Sequence, residues 1–249
     1  MSTTAWYIGC TAEEIGESAV LLGDPARIAR LATHLERPVF PDTKRGLRTV
    51  TGWRGGRRIS ATAFGMGAPI ATVVLHELYH LGLRSFLRIG TAMVALPAAL
   101  GDFVLADAAL RGEGTSGSYA PACYPAIADH ELAAALRTRL SRAARRWHAG
   151  VFATYDGFYT QMFTLDDAQR PGVEAMRADM RRYGIIAADM ETSALLVAGR
   201  MLGARVGSLC LGTVDAMTQS KLDAAATDAA EAELFDIALD TLAALPPTW

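Results

Sequence analysis

Two hydrophobic periods alternate along this chain. Apolar runs of strand length occupy residues 19–22, 85–89, 151–154, 185–188 and 206–211, with a further strand expected over 103–107. Between them, apolar residues recur at the spacing of one helix face. Ile28, Leu31, Ala32 and Leu35 mark a helix over 25–35, and Ile70, Val73, Val74, Leu78 and Leu81 mark one over 69–81. Further helices are expected from Asp129 to about residue 146, over 173–182 and 191–202, and across much of 224–245. One segment departs from this rhythm: residues 49–54 and 57–63 flank Gly55-Gly56 and read as a hairpin. Strands alternating with helices imply a single α/β domain over residues 1–249, its central sheet mixed, largely parallel and flanked by helices. Residues 111–124, rich in glycine, serine and proline, read as a mobile loop.

Ligands in such folds gather at the carboxyl ends of strands, so the residues just past each strand come next. The first strand runs into Leu21-Leu22-Gly23-Asp24-Pro25-Ala26-Arg27. Gly23 lets the backbone approach a ligand closely, and Asp24-Pro25 is a good helix start. A helix start attracts anions, and the planar fork of Arg27 suits phosphate. A second run is Phe86-Leu87-Arg88-Ile89-Gly90-Thr91. An arginine in a strand built for burial is costly unless it meets an anionic ligand or pairs with a carboxylate. Thr91 adds a hydroxyl. A third run, Ala187-Ala188-Asp189-Met190-Glu191-Thr192-Ser193, places two acids where a strand yields to a helix. They can accept from the paired hydroxyls of a ribose, or cap the helix and complement its dipole.

Composition narrows the classes of function. With 24 basic and 26 acidic residues the net charge is −2, which argues against general nucleic-acid binding. No apolar run is long enough to span a bilayer. Cys10, Cys123 and Cys210 are scattered and odd in number, as expected of reduced thiols. Residues 1–11 carry no secretory pattern, so a cytoplasmic location is expected.

The three runs, in this order, resemble the nucleoside phosphorylase family that includes uridine phosphorylase and the hexameric purine nucleoside phosphorylases. The likeness extends from Trp6-Tyr7-Ile8-Gly9 to the last helix. It implies a doubly wound α/β fold and reversible phosphorolysis, nucleoside plus phosphate giving free base and pentose 1-phosphate. It further implies inorganic phosphate as co-substrate, no metal or other cofactor, and a homo-oligomer, a hexamer built from dimers. By this resemblance Gly23, Arg27, Arg88 and Thr91 contact phosphate, and Arg45 reaches it in the neighbouring subunit. Met190 and Glu191 match the ribose-binding pair. Tyr7 stands where uridine phosphorylases carry a histidine near the sugar 5′ end, also supplied to the neighbour. Phe158, Gln161 and Asp189 are expected at the base. The arginine that reads the uracil edge has no counterpart in Phe158-Tyr159-Thr160-Gln161-Met162-Phe163. Thr213-Val214-Asp215 instead resembles the purine enzymes, where the aspartate protonates the leaving base. Asp215 therefore joins Arg88 as an expected catalytic group, the alternative being a turn-forming acid. Purine and pyrimidine both stay open.

Two other readings compete. His76-Glu77-Leu78-Tyr79-His80 matches the H-E-x-x-H pattern of zinc proteases, with Glu77 as base. A nucleosidase would use water in place of phosphate, but water needs no arginine clamp.

Overall fold

Each of these apolar runs forms a strand in the computed structural model, which describes residues 4–246. Residues 1–3 and 247–249, the two ends of the expected domain, lie outside the described residues. The strands are β1 (Ser18–Leu22), β2 (Glu36–Val39), β3 (Thr49–Arg54), β4 (Arg57–Ala63), β5 (Ser85–Val94), β6 (Phe103–Gly112), β7 (Ala126–Ile127), β8 (Trp147–Tyr155), β9 (Ile185–Asp189) and β10 (Arg205–Asp215). The helices are α1 (Ala26–Ala32), α2 (Ala68–His80), α3 (His130–Leu140), α4 (Arg170–Tyr183), α5 (Thr192–Leu202) and α6 (Ala224–Ala244). No helix among the described residues is long and apolar enough to cross a membrane.

The main path of the sheet runs β10-β6-β8-β9-β5-β1-β4-β3-β2, and β10 also pairs with β5. Strands β5, β10, β6, β8 and β9 therefore close into a ring, with β1, β4, β3 and β2 extending from β5 as an open wing. The pairings β1–β4, β1–β5, β5–β10, β6–β8 and β8–β9 are parallel. Antiparallel pairs join β5 to β9, β6 to β10 and the β3–β4 hairpin. This is the mixed sheet expected from the sequence.

Strand β5 positions the site. Its first half, at Phe86 to Arg88, pairs with β1. Its second half, at Met93 and Val94, pairs on the same side with β9. The residues between, 89–92, pair with neither, while β10 follows β5 along its whole length. The sheet therefore parts at Gly90 to Ala92, where β1 and β9 both end. A bulge between Gly212 and Val214 loosens β10 at the same level. A cleft at a change of strand neighbour is where α/β sheets bind ligands.

Helices cover both faces. On α5 every residue from Thr192 to Gly199 is buried, so this helix lies inside the molecule rather than on its surface. On the opposite face α6 inserts Leu234, Phe235, Ala238, Leu239 and Leu242. Burying Phe235 or Leu239 contributes about 2–3 kcal/mol each.

Three expectations are corrected. The first helix stops at Ala32, and the chain turns into β2, whose residues are all exposed and so carry no apolar signal. The helix capped by Asp129 ends at Leu140, well short of residue 146, and β8 begins at Trp147. Residues 111–124 are pinned rather than free. Arg111 donates to Ser116 Oγ and to the carbonyls of Ala120, Pro121 and Tyr124. A guanidinium offers enough donors to staple a whole loop, which composition cannot reveal.

Candidate active site

The cleft at the parted sheet has a volume of about 620 Å³, within the usual range for small-molecule sites. Its wall combines all three sequence runs: Gly23, Asp24 and Arg27; Arg88, Gly90 and Thr91; Asp189, Met190 and Glu191. These segments are distant in sequence, and the ends of β1, β5 and β9 bring them together.

At the end of β1 the backbone is crowded. A Cβ on Gly23 would sit 2.8 Å from the Gly65 carbonyl, which only glycine avoids. The Gly65 amide donates to the Gly23 carbonyl at 2.9 Å and ties the two turns together. Asp24 Oδ1 accepts from the Ala26 amide at 2.8 Å, as a helix-starting acid does. Because α1 is short, its dipole adds little, and the positive charge here rests on Arg27.

Arg88 is buried and fork-shaped contacts surround it. Nη2 lies 2.5 Å from Glu191 Oε2 and 3.2 Å from Asp189 Oδ2. Nη1 lies 2.7 Å from Cys210 Sγ. Burial alone would push this guanidinium down; contact with Cys210, Asp189 and Glu191 outweighs it and holds the group above its ordinary value. Burial also pushes the Cys210 thiol up, against the pull of Arg88. Arg88 Nε is buried with no protein partner, and the hydroxyl of Thr91, on the same cleft wall, makes no protein hydrogen bond among the described residues.

The arginine's pose depends on its neighbour. A Cβ on Gly90 would lie 3.0–3.2 Å from Nη1, Nη2 and Cζ of Arg88. Gly90→Ala should therefore push the guanidinium aside without unfolding the strand. We expect the KM for phosphate to rise about tenfold, because misplacement by fractions of an ångström is costly in a charge clamp. An unchanged phosphate KM would contradict this placement of Arg88.

Glu191 does more than one job. Its Oε1 accepts from the Gly67 amide at 2.7 Å, tying the start of α2 to the start of α5. Met190 lies beside it on the cleft wall. Asp189 is engaged differently from the expectation. Its carboxylate accepts from Thr154 Oγ1 at 2.8 Å and from the amide and hydroxyl of Thr192, and it faces Arg88. It caps α5 and orients the arginine while lining the cleft.

The remaining wall is apolar. Phe158, Tyr159 and Met162 come from one π-helical turn, with Met93, Thr213 and Val214 opposite. Phe158 stacks on Phe163 with ring centroids 5.9 Å apart. Gln161 does not join this wall; its Oε1 accepts from the Gly157 amide at 3.0 Å and closes the turn. Gln169 and Arg170 also stay outside, held by Asp166 and Asp167.

Asp215 is not on the cleft wall either. Its Oδ1 accepts from the amides of Met217 and Thr218 and from the Thr218 hydroxyl, at 2.7–2.9 Å. This is the arrangement of the turn-forming alternative. Asp215→Asn keeps that oxygen, so activity on purine and pyrimidine nucleosides alike should stay within about twofold of wild type. A loss confined to purine nucleosides would restore the acid role. Tyr7 and Arg45 also lie away from this chain's cleft, with the Arg45 guanidinium 4.9 Å above the Tyr7 ring.

The His76-Glu77-Leu78-Tyr79-His80 run is structural. Both Glu77 oxygens are taken by backbone amides, of Tyr7 at 2.7 Å and Ile8 at 2.8 Å. His76 stacks between Tyr119 and His80. Among the described residues, no three His, Cys, Asp or Glu side chains group as a metal site would need.

The wall residue Met66 carried no functional signal in the sequence; it is a single side chain placed by tertiary folding. Comparison with known proteins agrees with the geometry. A profile of the phosphorylase superfamily matches residues 17–245. Uridine phosphorylase of Treponema pallidum is 33% identical over 214 residues, covering 83% of this chain and 80% of that protein. Guanosine phosphorylase of Halorubrum lacusprofundi is 28% identical, covering 81% and 79%. The crystal structure of uridine phosphorylase from Vibrio fischeri superposes with a TM-score of 0.86 at 25% identity, covering 96% of each chain. The chain belongs to the phosphorylase superfamily.

Proposed function

We propose that this chain is a nucleoside phosphorylase that cleaves the N-glycosidic bond with inorganic phosphate, giving free base and pentose 1-phosphate. One observation carries the reading: a buried arginine, Arg88, whose Nε has no protein partner, lies on the wall of a cleft that also holds Arg27, Thr91 and the Gly23 turn. An unmet buried donor costs about 1–3 kcal/mol, which an oxyanion ligand would recover. Hydrolysis gives no reason to keep two arginines there.

The mechanism follows from charge. Bond cleavage leaves the sugar positive and the base negative. Phosphate held below the sugar stabilises the first charge and then attacks the anomeric carbon. Arg27, Arg88 and Thr91 fix that phosphate, which is proximity plus electrostatic preorganisation. Glu191 accepts from the sugar hydroxyls. The apolar wall of Phe158, Met162 and Val214 stacks on the base and excludes water. No metal or organic cofactor takes part in this scheme.

Charge balance also supports an oligomer. Within one chain, Arg27 and Arg88 are already matched by Glu231, Asp189 and Glu191. A phosphate dianion needs a further cation. Arg45 pairs with no carboxylate among the described residues and rests only on Tyr7. It is suited to complete a second subunit's site, with Tyr7 near the sugar, in a dimer-based assembly. The test is a panel of uridine, thymidine, adenosine, inosine and guanosine, each with and without phosphate. At least one should be cleaved only with phosphate present; cleavage that ignores phosphate would favour a nucleosidase.

A further inference from the structure

We infer that Glu231, on the final helix, is a positioning residue for phosphate, acting through Arg27. The inference rests on the phosphorylase reading above. Glu231 lies far along the chain from the cleft runs, yet its side chain is only 2% exposed. A carboxylate on the largely apolar buried face of an amphipathic helix is costly unless it is paired. Its two oxygens each meet one arginine of α1. Oε1 is 2.7 Å from Arg27 Nη2, and Oε2 is 2.7 Å from Arg30 Nη1. Arg30 is further matched by Asp228 at 2.8 Å.

The two arginines differ in what else they touch. Arg30 lies outside the cleft wall, is partly exposed and also rests over the Phe235 ring. Arg27 is also on the cleft wall, and no other protein group engages its guanidinium among the described residues. One arm of the fork is anchored on α6, and its remaining donors are left for a ligand. The Glu231 Oε1 contact is close but accepts no aligned hydrogen bond. Arg27 can thus turn slightly toward an oxyanion without losing its counter-charge. A long side chain held at one end loses less rotamer freedom when it binds. Glu231 is therefore a holder of the arginine rather than a competitor for it.

The experiment compares Glu231→Gln with Arg30→Ala in steady-state assays that vary phosphate and nucleoside separately. Glu231→Gln keeps the volume and one acceptor but loses the charge. It should raise the KM for phosphate about tenfold, with kcat at saturating phosphate and the nucleoside KM within about twofold. Arg30→Ala cuts the same bridge between α1 and α6 but leaves Glu231 holding Arg27. Its phosphate KM should stay within about twofold of wild type. A merely structural bridge would move both variants together, or lower stability with no selective change in phosphate KM. An unchanged or lower phosphate KM in Glu231→Gln overturns the inference, the lower value marking competition. If Glu231→Gln gives no folded protein, Glu231→Asp carries the same test. That variant keeps the charge but retreats by one methylene, and a wild-type phosphate KM there would equally overturn the inference. Phosphate-independent cleavage by the wild type would instead sink the phosphorylase reading itself.

Discussion

Arg88→Ala should abolish phosphate-dependent cleavage, by about 1,000-fold or more in kcat/KM, and destabilise the protein by about 3–5 kcal/mol. Both effects have one origin. The guanidinium neutralises two buried carboxylates, Asp189 and Glu191, and the residue also lines the cleft. Removing it leaves those acids uncompensated in a low-dielectric interior. It also removes the charge proposed to meet phosphate in the transition state. Arg88→Lys separates the two effects. A lysine restores a positive charge near the acids, so much of the stability should return. It cannot reproduce the fork that reaches Glu191, Cys210 and a ligand together, so activity should stay low. Urea denaturation and phosphate-dependent rates on the same preparations check both parts. Normal phosphorolysis by Arg88→Ala would refute the assignment of the cleft.

The second large effect is expected at Glu191. Glu191→Gln keeps an oxygen for the Gly67 amide, so the junction of α2 and α5 should survive. The charge facing Arg88 is lost, and an amide nitrogen now points at either Arg88 or the sugar. We expect kcat/KM for ribonucleosides to fall about 100-fold, and for 2′-deoxyribonucleosides only about 10-fold, because the latter lack one of the hydroxyls that Glu191 would accept from. Equal losses on both sugars would mean that Glu191 acts only through Arg88 and holds no ribose.

Much of this site is legible in the sequence because its parts follow strand ends. Gly23, Arg27, Arg88, Thr91, Met190 and Glu191 each sit where an apolar run stops, and the fold brings those stops to one cleft. Local pattern also gives the β3–β4 hairpin, whose bounds follow directly from Gly55-Gly56 and the flanking apolar residues. What sequence could not supply is the partner of each polar group. The alternatives weighed for Arg88, an anionic ligand or a carboxylate, both have a place: two carboxylates hold it and one donor remains. Asp189 and Asp215 read equally well as chemistry or as caps until the amides and hydroxyls that donate to Asp189, and to one oxygen of Asp215, are seen. Glu231 looks like any acid on an amphipathic helix, and only tertiary packing puts it against Arg27. Strand β2 has no apolar pattern because it edges the sheet with every residue exposed.

The most direct test follows the phosphorus atom. Enzyme, nucleoside and inorganic phosphate are combined, and the reaction is watched by phosphorus NMR alongside release of free base. The account requires a pentose 1-phosphate resonance that grows mole for mole with the base, and no base release when phosphate is left out. Base appearing with unphosphorylated pentose, at a rate indifferent to phosphate, would contradict it.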